Sequence, residues 1–204
     1  MSGNLFIISG PSGVGKTTLL DELFKKDDKL VFSISATTRE KRSTEKNGVD
    51  YFYVSIDEFE KKIKNKEFLE WAKVFDNYYG TPEKFVDKTL KNGFDCILDI
   101  DVQGALQIMS KRKDAVSVFV APQNKEELLK RLKGRNTETQ SVIDKRNKVA
   151  GWELNNVDKY DYVVVNDNIE NAVTDLYSII KSQRRLVKNN AELVKSLKKE
   201  IYKS

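Results

Sequence analysis

The chain has no histidine and a single cysteine among its 204 residues, and no stretch approaches the roughly 20 apolar residues that crossing a bilayer requires. Each absence removes a class of function. Without histidine there is no Ser-His-Asp hydrolysis, no Cys-His nucleophile and none of the common zinc sites. Any chemistry must rest on carboxylates, lysine, arginine, hydroxyls or a metal held by oxygen. Without a second cysteine there is no intrachain disulfide, and Cys96, inside an apolar run, reads as a buried and inert thiol. The opening MSGNLFIIS lacks the basic start, long apolar centre and small-residue cleavage site of an export signal, so a cytoplasmic protein with no membrane partner is expected. One-sided charge is missing as well. The 36 basic and 31 acidic residues leave a net +5 on a mixed surface, which favours anionic partners without the lopsidedness of a nucleic-acid binder, and no nucleic-acid partner is expected. The length suits one full core with at most a sub-domain.

What is present alternates. The short apolar runs Leu5 to Ile8, Phe94 to Ile100, Val116 to Val120 and Tyr162 to Val165 read as strands buried on both faces. Helix signals lie between them: Leu19, Leu20, Leu23 and Phe24 form a stripe, and Ser55 with Glu58 and Asn124 with Glu127 have capping-box spacing, the second opening a helix to about Arg131. Strand and helix in alternation imply an α/β fold with a parallel sheet. The aromatic region from about Val31 to Lys91 breaks the rhythm and reads as an inserted sub-domain. The Lys-rich tail from Ser182 carries Leu186, Leu193, Val194, Leu197 and Ile201 at helical spacing, which predicts a helix packed on the body.

The sharpest local pattern is GPSGVGKT, Gly10 to Thr17, which matches G-x-x-x-x-G-K-[ST] between an apolar strand and an amphipathic helix. Gly10, Gly13 and Gly15 would let the backbone wrap a phosphate, with Pro11, Ser12 and Val14 completing the loop and Thr18 following it. Lys16 would reach the β- and γ-phosphates of a nucleoside triphosphate, and the Thr17 hydroxyl would ligate Mg²⁺. Asp99, at the carboxyl end of a core strand, stands where a Mg²⁺-associated aspartate belongs, acting through water. The run DVQG after it is a D-x-x-G of the kind seen in small GTPases, but the nearest guanine-reading N-K-x-D is NKEE at Asn124 to Glu127, whose last residue is wrong.

A second stretch, Ser35 to Val54, mixes charge with tyrosines and by itself fits a solvated loop, a nucleic-acid patch or a small-anion pocket. Together with ISGPSGVGKTTLL, FLEWAKVFDNYYGT, ILDIDVQGA, KRLKGRNTET and VVVND, in this order, its TTREKRSTEKNGVDYFYV resembles the guanylate kinase family from about Leu5 to Ile180. The resemblance implies a three-layer P-loop NTPase fold: a core of 1–30, 92–130 and 159–204, a small mixed α/β GMP-binding sub-domain of 31–91 and a helical lid of 131–158. It implies ATP as donor, Mg²⁺ as cofactor, GMP and dGMP as acceptors, and guanine nucleotide supply as the role. A monomer or small homo-oligomer is expected.

Residue by residue, the resemblance puts Arg39, Arg42, Tyr51 and Tyr79 on the acceptor phosphate and Ser35, Glu70, Thr81 and Asp101 on its base. Two guanidinium forks suit a dianion. A carboxylate such as Glu70 can accept the paired N1–H and N2–H of guanine, which adenine does not offer. Arg131, Arg135 and Arg146 match lid arginines that join Lys16 and Arg39 in stabilising the transferred charge, and Asn166 matches a position near the donor adenine. The departures are Lys41 where proline is common, Asn136 in place of a glycine and Thr81 in place of serine. Two other readings stay open: a non-catalytic guanylate-kinase-like binding module, which Lys16, Thr17 and Asp99 argue against, and a different nucleoside monophosphate kinase, which would not need Ser35 and Glu70.

Overall fold

In chain order the elements are β1 (Leu5–Ser9), α1 (Lys16–Phe24), β2 (Leu30–Phe32), β3 (Ala36–Thr37), β4 (Phe52–Tyr53), α2 (Ile56–Lys64), β5 (Phe68–Val74) and β6 (Asn77–Pro82). They continue as α3 (Glu83–Lys91), β7 (Asp95–Asp99), α4 (Val102–Lys111), β8 (Val116–Pro122), β9 (Tyr162–Asn166), α5 (Ile169–Arg185) and α6 (Ala191–Ile201). The computed structural model describes residues 2–74, 76–124, 126–128 and 149–201. Arg131, Arg135 and Arg146, with Asn136, lie outside the described residues.

Strands β2-β7-β1-β8-β9 form a five-stranded sheet whose described pairings are all parallel, the expected α/β architecture. Side chains alternate across it. Phe6, Ile8, Ile97, Val118 and Val120 face Leu19 and Leu23 of α1 and Leu176 and Ile180 of α5. On the opposite face Leu5, Ile7, Cys96 and Leu98 meet Val86 and Leu90 of α3 and Ala105 and Ile108 of α4. Full burial of such a side chain is worth roughly 1.5–3 kcal/mol, so these two apolar layers hold the three-layer core. Cys96 is buried as expected, and burial pushes its thiol up to about 12, which keeps it protonated and unreactive.

The four expected core strands are present, but burial on both faces fails for β9. It is an edge strand, and Tyr162, Val163 and Val165 are exposed while Val164 and Asn166 point inward. A second sheet, β4-β3-β6-β5, is mixed: β3 runs parallel to β4 and antiparallel to β6, which pairs antiparallel with β5. Its small core centres on Phe59, stacked on Phe68 at 4.5 Å and on Tyr78 at 5.2 Å. The Ser55 and Glu58 capping box that opens α2 is formed on both sides. Two elements of the 31–91 span join the large sheet: Val31 and Phe32 pair with Cys96 and Ile97, and α3 contributes to its core.

The tail helix differs from expectation. No residue of α6 is buried, and Leu193, Leu197 and Ile201 are exposed, so the helix forms without laying its apolar stripe on the body. The preceding helix α5 is instead anchored by Arg184, which pairs with Asp27 and Asp95 at 2.6 Å each.

Candidate active site

The turn between β1 and α1 is shaped by glycines. Gly10, Gly13 and Gly15 have φ of 149°, 82° and 96°, in the region that side chains with a Cβ avoid. At Gly10 a Cβ would also lie 2.2 Å from the Val120 carbonyl oxygen, so close contact between the loop and β8 demands glycine. Gly15 is the N-cap of α1 and offers no side chain to the helix, which leaves the first N–H groups directed at the loop. Lys16 folds back over the turn: its Nζ donates to the Gly10 carbonyl at 3.0 Å and stands 3.7 Å from Asp99 Oδ1 at the end of β7. Burial raises the Asp99 carboxyl, and the Lys16 ammonium opposes that rise. Thr17 and Thr18 are exposed on the first turn of α1. Asn166, buried at the end of β9, donates its Nδ2 to the Val14 carbonyl at 2.7 Å. Its amide thus ties the loop to the end of the edge strand β9.

Across the cleft, one carboxylate organises the arginine and tyrosine cluster. Glu45 accepts from Arg39 Nη2 at 2.7 Å, from the Tyr53 hydroxyl at 2.7 Å and from the Arg42 backbone N–H at 2.9 Å. These donors, the Arg39 guanidinium first, hold its carboxyl at about 2, and Glu45 in turn keeps Arg39 charged. The Arg39 guanidinium lies 5.6 Å from the centre of the Tyr51 ring, and Tyr51 meets Tyr79 edge-on at 6.0 Å. Arg42 behaves differently: its side chain is 73% exposed, and its closest approach to Glu45 is 4.0 Å.

Deeper in, Glu70 of β5 is only 4% exposed and accepts from the Thr81 hydroxyl at 2.6 Å, the second strand of the hairpin bringing Thr81 opposite it. Burial pushes its carboxyl up to about 7, with the Asp101 charge adding to the rise and Thr81 resisting it. Gly104 makes the fit possible, because a Cβ there would stand 2.7 Å from Glu70 Oε2. Asp101 caps α4 through the Gly104 N–H at 2.7 Å. A buried carboxylate whose donors are the hydroxyl and backbone N–H of one threonine is costly unless something else donates to it.

One cavity of about 690 Å³ joins these parts: Gly10, Ser12 and Lys16 line it with Ser35, Tyr51, Glu70, Tyr79, Asp99 and Asp101. Arg39, Arg42 and Thr81 are not among its lining residues, and Arg131, Arg135 and Arg146 lie outside the described residues. Two carboxylates went unassigned in the sequence. Glu45 had a local signal, an acid at a fixed offset from two arginines, and Glu153, which also lines the cavity, had none.

A glycine-shaped anion loop on a parallel sheet, with lysine and aspartate converging on it, defines a P-loop nucleotide-binding protein of the phosphoryl-transfer class. The family model for guanylate kinase matches residues 2–183. Guanylate kinases of Thermotoga maritima and Oceanobacillus iheyensis are 44% and 48% identical to the chain, over 98% and 89% of it and 97% and 88% of their own lengths. The crystal structure of guanylate kinase from Anaplasma phagocytophilum superposes with a TM-score of 0.75 at 33% identity, covering 91% of this chain and 88% of that one. The chain belongs to the guanylate kinase family. The Thermotoga alignment runs through the Lys-rich tail, which the family model does not reach. Among the described residues no helix is long and apolar enough to cross a membrane.

Proposed function

We propose that the protein transfers the γ-phosphoryl of ATP to GMP, and to dGMP, in the cytoplasm. The observation that carries the reading is the single cavity containing both Lys16 and the buried Glu70. The loop from Gly10 to Thr18 binds the ATP phosphates through its backbone N–H groups and Lys16. Ser35, Glu70, Thr81 and Asp101 bind guanine, Glu70 accepting both N1–H and N2–H, while Arg39, Arg42, Tyr51 and Tyr79 hold the GMP phosphate. Adenine would leave the Glu70 carboxylate buried and unpaired, and a site of this kind discriminates by a factor on the order of 10⁴.

Phosphoryl transfer through a loose transition state asks mainly for alignment and neutralised charge, so a chain without histidine suffices. Lys16 moves from the Gly10 carbonyl to the phosphates, and Arg39, held by Glu45, is presented without having to be ordered first. Arg131, Arg135 and Arg146, in the proposed lid of 131–158, supply further positive charge and exclude water. The oxygen-only donor set of Thr17 and Asp99 suits Mg²⁺, which keeps several waters and takes other ligands from nucleotide phosphate; among the described residues no protein cage of three acidic or sulfur ligands exists. Held there, the ion would supply positive charge that offsets the charge of the nucleotide phosphates. Asn166 supports the loop and borders the donor site.

A coupled assay with Mg·ATP and GMP, dGMP, AMP, UMP and dTMP, with and without EDTA, tests the reading. Turnover of the two guanine acceptors that EDTA abolishes is expected. Equal turnover of AMP would overturn the guanine assignment, and no GMP turnover would favour a binding module.

A further inference from the structure

Glu153 belongs to neither the base pocket nor the phosphate cluster, yet it lines the same cavity as Ser12 and Lys16. It sits in the helical residues 149–154 and is only 6% exposed. Its Oε2 has no hydrogen-bond partner among the described residues. Among the described residues the charged and titratable groups facing it are Lys16 at the start of α1, Asp101 at the N-cap of α4 and Tyr160 ahead of β9, and the Ser12 backbone N–H also favours its charge. Asp101 repels a charge on Glu153. The favourable partners are therefore a P-loop amide and the P-loop lysine, the groups that an anionic phosphate would claim. A nucleotide phosphate entering the loop meets a like charge beside the donors it needs.

We infer that Glu153 is a positioning residue that holds the phosphate side of the loop through Lys16 and the Ser12 amide, and that it must give up its charge or its contacts when nucleotide phosphate binds. Burial pushes the Glu153 carboxyl up to about 7, so nucleotide binding is accompanied by proton uptake near neutrality. The inference rests on the loop being the donor site.

The test is calorimetric binding of Mg·ADP to the full chain at pH 6, 7 and 8, for wild type, E153Q and E153D. Wild-type affinity is expected to weaken about tenfold from pH 6 to pH 8, in proportion to the ionised fraction of a group titrating near 7. E153Q should bind as wild type does at pH 6, lose the slope and bind about tenfold tighter than wild type at pH 8, whereas E153D should restore the slope. The same slope in wild type and E153Q, or weaker binding by E153Q throughout, overturns the role. No Mg·ADP binding by wild type would instead overturn the donor-site reading, and the role with it. Should E153Q fail to fold by circular dichroism, the wild type decides: binding heats in two pH 7 buffers of different ionisation enthalpy must report proton uptake, and their equality overturns the inference.

Discussion

Glu45 and Glu70 are both carboxylates of the smaller, mixed-sheet part of the molecule, and their surroundings drive them in opposite directions. Glu45 receives three donors from the protein and titrates at about 2. Glu70 is buried with the Thr81 hydroxyl and titrates at about 7. The first is satisfied before any ligand arrives and serves to set Arg39 in place. The second is left short of donors, and in the proposed complex guanine supplies them. A carboxylate that spends its acceptors on the protein positions a neighbour; one that keeps them spare recognises a ligand.

Breaking the unsatisfied member should have the largest effect. Glu70→Gln keeps the size but turns one acceptor oxygen into a donor facing the guanine N–H groups, and steady-state kinetics should show kcat/KM for GMP falling by roughly 10³- to 10⁴-fold, with little change in KM for ATP. A fall below tenfold would contradict the base assignment. Breaking the satisfied member should cost less. Glu45→Gln leaves Arg39 without its ionic partner, and kcat/KM for GMP should drop roughly 10- to 100-fold through misplacement of the guanidinium, while the preference for GMP over AMP is unchanged. A loss of base preference in this variant would merge the two roles that the contrast separates.

The contrast also predicts opposite pH behaviour. Because the Glu70 carboxyl is raised in the folded protein, the native state binds more protons than the unfolded chain between the ordinary carboxylate range and about pH 7, so its contribution to stability falls as pH rises through that window. GMP binding, which needs the ionised form, should strengthen about tenfold from pH 6 to pH 8 with proton release, measurable by calorimetry. Glu45 is depressed, so its stabilising contribution is present above the ordinary carboxylate range and is lost as pH falls towards about 2, visible as a drop in thermal midpoint in acid. The smallest effect is expected at Arg42→Lys. The side chain is mostly exposed and retains its charge, so only the forked contact is lost, and KM for GMP should rise several-fold, to about tenfold at most.

Much of the donor side was legible because it is local. Three glycines, a lysine and a threonine within eight residues dictate positive φ angles and a helix start whatever the rest of the chain does. The four core strands were legible for a related reason: short apolar runs have nowhere else to go than a sheet covered on its faces. β9 departed from that rule only because it fell at an edge, a matter of strand order that the run itself does not encode. The tail shows the same limit, since helical spacing predicted α6 but could not say whether a surface existed for its leucines to cover.

Composition and motif order, then, determined by themselves that this chain folds around a phosphate-binding loop, that it works without histidine, and that it resembles guanylate kinases. The tertiary structure alone decided which acids are charged. Glu70 is raised because β5, β6 and α4 enclose it; Glu45 is depressed because the loop after β3 and the strand β4 together bring three donors onto it. Asn166 meets the loop through Val14 from 152 residues away, and Glu153 lines the same cavity as Lys16 from beyond β8. Burial and long-range pairing set these protonation states and partners, and both depend on the packing of segments that are far apart in the chain.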